Sequence, residues 1–400
     1  MAASDFSRKY AIMGLGMVTG PFPAGITARA AEAEAARQAI EDAGLQRENI
    51  DGAVQLRRAG GGGERSSFSD AFTRILGLPA TFYYSVGRGG ALAGLGIATA
   101  VSFLDMGIAN YVLLAGSVDD WTKAQRSKEQ GHRGRFTSLD KEGYWGKPFG
   151  DSAAASHHSF LASRHMHEFG TTSRQLGMIS VQERQWAQMN PRAKMYGRPI
   201  TIEDHQNSPF VVEPYHLLDI CLVSDGAVAF VLTTAERAKD GPKPPVHVLG
   251  FGSGEVADEL WWEKQNYTHL AVKKAKEHAF GQAGITLADI DVAELYDCFT
   301  AEVLFQLEDY GWCGKGEGGP FVEEGHIGPG GDTPVNTGGG LLSSYHYGDL
   351  TGISEAITQL RGEAGDRQVK GAEVALVTGH GGELISPGMC SIHTSLLLGR

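Results

Sequence analysis

Ala283-Gly284-Ile285-Thr286-Leu287-Ala288-Asp289-Ile290-Asp291-Val292-Ala293-Glu294-Leu295-Tyr296 decides the fold, because it echoes an earlier stretch of the same chain. Ala43-Gly44-Leu45-Gln46-Arg47-Glu48-Asn49-Ile50-Asp51-Gly52-Ala53-Val54-Gln55-Leu56 has the same layout at a constant offset of 240 residues (283 − 43). Both follow a helix rich in Ala and charged residues. A second echo pairs Gly96–Leu104 with Gly352–Leu360, and each member leads into an apolar strand ending in glycine, Val112–Gly116 and Val374–Gly379. A period this long excludes a solenoid and predicts a duplicated α/β domain.

Outward from the echoes, the chain divides into three parts. Residues 1–119 plus 216–240 form the first half, 120–215 an inserted loop domain, and 246–400 the second half. Ala238-Lys-Asp-Gly-Pro-Lys-Pro-Pro245 reads as the linker between halves. Tyr10–Met13 reads as a short strand ended by a turn at Gly14-Leu-Gly16; Pro21 and Pro23 spoil any dinucleotide fingerprint there. A helix is expected over 29–43, stopped by Gly44. The insertion is rich in His, Arg and aromatics. His158 and His165 share a helical face in it, but no nearby carboxylate completes a metal-ligand spacing, so an ordinary polar face is expected.

The 400 residues are 42% hydrophobic and 20% charged, as in an ordered globule. A formal charge of −12 argues against nucleic acid. Cys221, Cys298, Cys313 and Cys390 show no paired spacing, which fits a reduced, cytoplasmic protein without its own zinc ribbon. No run reaches the ~18 apolar residues a membrane span needs. The glycine-rich loops at 60–63, 328–331 and 338–340 lack the Gly-Lys-Ser/Thr of a P-loop.

Two stretches carry acid/base groups at helix junctions: Glu294-Leu-Tyr296-Asp297-Cys-Phe299, and Leu341 to Gly352 with Tyr345-His346-Tyr347 at its centre. Tyr and His both donate and accept protons, which points to proton chemistry.

Read in order, Asn190-Pro-Arg-Ala-Lys, Ser208-Pro, Leu218-Asp219, Val223-Ser-Asp-Gly-Ala227, Tyr296-Asp-Cys-Phe299 and Asn336-Thr-Gly-Gly-Gly-Leu-Leu-Ser343 resemble the thiolase superfamily, above all its sterol-carrier-protein type. The resemblance covers essentially the whole chain. It implies the α/β thiolase fold, duplicated αβα halves in a five-layered αβαβα core, with a homodimeric assembly and acyl-CoA substrates. A thiolase needs a cysteine nucleophile at a helix N-terminus. That place is Gly90 here, and the second family cysteine's place reads Gly379-His380-Gly381. His346 matches the thiolase histidine of the oxyanion hole, and Gly90 and His346 each precede their helix glycine, Gly96 or Gly352, by six residues.

A thiolase-like chain without these cysteines, with Tyr296 heading the Asp-Cys-Phe motif, looks like the lipid-transfer-protein aldolases of steroid side-chain breakdown. The resemblance implies retro-aldol cleavage of a β-hydroxyacyl-CoA bearing a tertiary alcohol. Tyr296 is the expected proton-transfer group, with one of Tyr345, His346 and Tyr347 as the second. Asp297, Gly90, His380 and Gly381 are expected around them or at the oxyanion. Tyrosine suits an acid at its usual pKa of ~10; as a base near pH 7 it needs ~4 kcal/mol from neighbouring groups. Coenzyme A is expected only as part of the substrate, with no resident cofactor and no metal. Arg126, Arg133 and Arg135 are candidates for its phosphates, though a solvated charged loop also explains them. The family's aldolases work with a small OB-fold and zinc-ribbon partner. The alternatives are a thiolase using a displaced cysteine and a non-catalytic acyl-CoA or lipid-binding subunit.

Overall fold

The computed structural model describes residues 6–23, 26–56, 71–87, 89–129, 154–255, 268–381 and 392–400. The first half runs β1 (Tyr10–Thr19), α1 (Ala28–Asp42), β2 (Gly52–Leu56), α2 (Ala71–Leu76), β3 (Phe82–Val86), α3 (Leu92–Asp105) and β4 (Tyr111–Asp119). Residues 120–224 then leave the sheet through α4 (Asp120–Glu129), α5 (Ala154–Phe169), α6 (Ser173–Gln188), α7 (Ile202–Asn207) and the hairpin β5 (Phe210–Val212) and β6 (Tyr215–His216). The chain returns as β7 (Asp225–Thr234), which inserts between β4 and β1, and the short α8 (Ala235–Ala238) follows.

The second half follows the same course except that, among the described residues, no strand takes the place of β3: β8 (Val246–Glu255), α9 (Val272–Ala283), β9 (Val292–Glu294), α10 (Thr300–Tyr310), α11 (Gly318–Glu323), α12 (Asp349–Leu360), β10 (Val374–Gly381) and β11 (Ile392–Gly399). Strand order is β3-β2-β4-β7-β1-β8-β11-β10-β9. The halves join where Tyr10, Ala11 and Ile12 of β1 pair antiparallel with Val248, His247 and Val246 of β8. The duplicated stretches occupy equivalent places: 3-10 turns at Arg47–Asn49 and Leu287–Asp289 lead into β2 and β9.

Gly14 and Gly16 do not end β1, as the sequence suggested; the strand runs on to Thr19. A Cβ on either glycine would collide with the carbonyls of Ala39 or Ala35 in α1. Gly250 and Gly252 of β8 meet Ala279 and Ala275 of α9, and Gly254 meets Ala271 just before it, in the same way. Four helical residues advance ~6 Å and two strand residues ~6.6 Å, so one bare glycine matches each helical turn. The glycines serve close helix–sheet packing, not a turn. Gly44 does stop α1, at φ +70.

α3 and α12 form the central layer. They pack on each other, and α3 touches β2, β4 and β7 of its own half and β8, β10 and β11 of the other. Ile97, Leu114, Ile353 and Val377 bury themselves in this layer. α1 covers one sheet face, while α9 covers the second half from outside. These are the five layers. Both central helices start at the same level, which brings the ends of the two halves together.

Candidate active site

At the mouth of α3, the backbone N–H groups of Ala93 and Gly94 both donate at 2.9 Å to the carboxylate of Asp349, the first residue of α12. The Asp349 N–H in turn donates to the Gly90 carbonyl at 3.2 Å. The two helix starts are thus tied to each other. Burial pushes the Asp349 carboxyl up to about 7, against the pull of those N–H donors.

Tyr296 follows β9 and is held at its backbone: its N–H donates to Thr378 Oγ1 and its carbonyl accepts from Gln306 Nε2, both at 2.8 Å. That fixes the ring beneath α3. A Cβ built on Gly90 would overlap Tyr296 Cζ and Oη and the His380 carbonyl. The phenol therefore stands where a residue-90 side chain would be. Gly379 is equally closed, because a side chain there would meet Thr394, the backbone of Ala91 and Asp349. Neither Gly90 nor Gly379 has room for a side chain.

His346 Nε2 lies 3.4 Å from Tyr296 Oη, and its Nδ1 lies 3.3 Å from Cys221 Sγ. The His346 N–H donates to Ser224 Oγ at 3.1 Å. Asp297 sets this approach without facing the pair: its Oδ2 accepts from the N–H groups of Leu341 and Leu342 at 2.7 and 3.0 Å, in the π-turn Gly340–Ser344 just before His346. Gly340, at φ +58, leaves space for that carboxylate.

Tyr345 is extended (φ −146, ψ 154), and alternate side chains of extended backbone face opposite ways. His346 turns to Tyr296; Tyr345 and Tyr347 turn away and stack at 5.3 Å. The Tyr347 hydroxyl donates to the Asp225 carbonyl at 2.6 Å, filling the space over Gly226. Burial holds both phenols well above the usual tyrosine range. Tyr347→Phe is therefore expected to cost about 1 kcal/mol of stability through one lost hydrogen bond. Thermal melting measures that, while turnover stays within about twofold.

Glu183 lies beside Asp297 and Asn336, and the Asn336 amide donates to its Oε1 at 2.8 Å. Burial first, then the Asp297 carboxylate, raises the Glu183 pKa far above the ordinary value. A raised folded-state pKa gives stability that is full below the unfolded value of ~4.3 and lost as pH climbs through the folded one. Glu183→Gln keeps an N–H for Asp297. Urea midpoints at pH 6 and pH 9 are expected to fall with pH less steeply in this variant than in the parent.

His158 and His165 do not form a polar face, contrary to the sequence expectation. Both are buried against α10, whose carboxylates the spacing could not reveal. His158 Nδ1 meets Glu302 Oε1 at 2.5 Å, and His165 Nε2 meets Glu308 Oε2 at 2.9 Å, across 144 and 143 residues. His380 Nε2 lies 3.4 Å from Glu302 Oε2, so His158, Glu302 and His380 converge, with one ligand-type atom of each within 4.8 Å of the others. Ligands sharing a tetrahedral zinc stand about 3.3 Å apart at ~2.0 Å bond lengths. The His158–Glu302 contact is closer, as in a hydrogen-bonded row. His380 points its ring there, 6.0 Å from the Tyr296 ring centre, and only its carbonyl faces position 90. Gly381 pairs with Ile392 in the sheet. Arg126 is exposed on α4; Arg133 and Arg135 fall outside the described residues. Cys221 lies beside His346 only through the fold, and no motif spacing points to that contact.

Among the described residues no helix is long and apolar enough to cross a membrane. Residues 254–397 match the family model described as "Thiolase C-terminal domain-like". A "Steroid side-chain-cleaving aldolase" of Thermomonospora curvata is 34% identical over 354 residues, 87% of this chain and 89% of that protein. A "17-hydroxy-3-oxo-4-pregnene-20-carboxyl-CoA lyase" of Mycobacterium tuberculosis is 34% identical over 380 residues, 93% of this chain and 96% of that one. The solved structure of an "Ltp2-ChsH2(DUF35) aldolase" superposes with a TM-score of 0.85 at 32% identity, covering 99% of this chain and 98% of that chain.

Proposed function

Since the chain belongs to the thiolase-fold family of steroid side-chain-cleaving aldolases, carbon–carbon lyases that act on acyl-CoA, we propose that it splits a β-hydroxyacyl-CoA with a tertiary alcohol by proton transfer through Tyr296 and His346. The hydroxyl loses its proton and becomes the ketone. The Cα–Cβ electrons pass into the thioester as an enolate, and Cα takes up one proton to leave a shorter acyl-CoA. One proton leaves the substrate and one returns, so a pair in hydrogen-bond reach needs no outside supply. The observation that carries this is the Tyr296 hydroxyl in the empty nucleophile place, 3.4 Å from His346 Nε2.

The relatives' names support a steroid side chain as the substrate class and coenzyme A as its handle. The solved relative, named as an Ltp2-ChsH2(DUF35) pair, supports a working partner, for which we propose a small OB-fold and zinc-ribbon protein beside a homodimeric core. Among the described residues β3 is a sheet edge with Tyr84 and Ser85 exposed, available for pairing with a second copy. The test is to supply a steroid β-hydroxyacyl-CoA with a tertiary alcohol, with and without the partner, and follow ketone release. Ketone formed only with the partner is the expected result. Full activity of the chain alone removes the partner, and no ketone under either condition removes the aldolase.

A further inference from the structure

We infer that Cys221 is the terminal proton holder of a relay Cys221–His346–Tyr296, a positioning and proton-storing residue behind the proposed catalytic pair. This rests on the proposed function above and deepens it. The two rings and the thiol stand in a row: Cys221 Sγ is 3.3 Å from His346 Nδ1, and His346 Nε2 is 3.4 Å from Tyr296 Oη. Imidazole has one nitrogen for each neighbour, so a proton entering at one ring nitrogen releases another at the opposite one.

The placement of the thiol is built. The Cys221 N–H donates to the Cys298 carbonyl at 3.0 Å, two residues from Tyr296, and the Leu222 N–H donates to the Leu341 carbonyl at 2.9 Å, in the turn before His346. Ser224 accepts from the His346 backbone. The 221–224 stretch is thereby fastened to both partners of the row, and the thiol faces the imidazole from the side away from Tyr296.

The chemistry closes without an added reagent. With Cys221 as thiolate and His346 carrying its hydrogen on Nδ1, the substrate hydroxyl gives its proton to Tyr296 Oη. Tyr296 passes its own proton to His346 Nε2, and His346 passes the Nδ1 proton to sulfur. The Cα–Cβ bond then breaks, the ketone forms, and the same movements in reverse deliver one proton from Tyr296 to Cα and restore the thiolate. The negative charge waits on a thiol of pKa ~8.5 instead of a phenol of ~10, a difference of about thirtyfold in the basic form at a given pH. This answers the difficulty of tyrosine as a base near neutrality.

The test compares Cys221→Ser and Cys221→Ala with the parent, in complex with the partner, over pH 6 to 10 on the steroid β-hydroxyacyl-CoA, with Tyr296→Phe alongside. Expected is a loss of kcat of about thirtyfold near pH 7.5 with KM unchanged, and a rise of activity with pH that moves from near the thiol's range towards that of tyrosine. Serine preserves size and hydrogen bonding but cannot hold the charge, so a folded Cys221→Ser enzyme showing the same loss separates the relay from packing. Parental kcat and pH profile in either variant, or a lowered kcat with an unmoved profile, overturns the relay. Undiminished turnover in Tyr296→Phe instead overturns the proposed function itself.

Discussion

Tyr296→Phe is expected to lower kcat by about 10²–10⁴-fold, the usual worth of a positioned proton-transfer group, with KM nearly unchanged. The substitution removes one oxygen from a side chain that is 6% exposed and held by its backbone, so the ring should keep its place. Melting temperature is expected to move by no more than a few degrees. Ketone release under saturating substrate measures the first effect and calorimetry the second. Turnover within a few-fold of the parent would take Tyr296 out of the chemistry.

Gly90→Ala should also be strongly damaging, although it adds only a methyl group. The new Cβ would overlap the Tyr296 phenol and the His380 carbonyl. The carbonyl belongs to β10, which pairs with His393 of β11 at His380, so the phenol is the group that has to move. A displacement of about 1 Å at a reacting group costs on the order of a hundredfold in rate, and overpacking adds about 1–3 kcal/mol of destabilisation. If the damage runs through Tyr296, combining Gly90→Ala with Tyr296→Phe costs little activity beyond the worse single change. Additive losses would place the effect elsewhere. Gly90→Cys is expected to fail likewise and to yield no acyl-enzyme, because the sulfur would compete with the phenol for one space.

The duplicated architecture was legible because it depends on local pattern. A glycine stop, a 3-10 turn and a short apolar strand recur at fixed offset, and each is specified by a handful of adjacent residues. The glycines of β1 are not legible for the complementary reason. A glycine permits both a turn and a close approach, and only the presence of Ala35 and Ala39 overhead selects the second. The burial of the α5 histidines is not legible because Glu302 and Glu308, their partners on α10, lie more than 140 residues away.

For the site, the sequence pointed away from thiolase chemistry, because the places that the resemblance assigns to the two thiolase cysteines read Gly90 and Gly379. It also named Tyr296 and the 345–347 cluster. It could not choose within that cluster, since three consecutive residues all have acid/base character. The tertiary structure separates the three by backbone alternation, turning His346 towards Tyr296 and stacking Tyr345 on Tyr347, which lies over Gly226. It also brings in Cys221 across 125 residues. Patterns between neighbours in sequence are set by backbone geometry, whereas contacts between distant side chains exist only once burial has forced the helices and strands together.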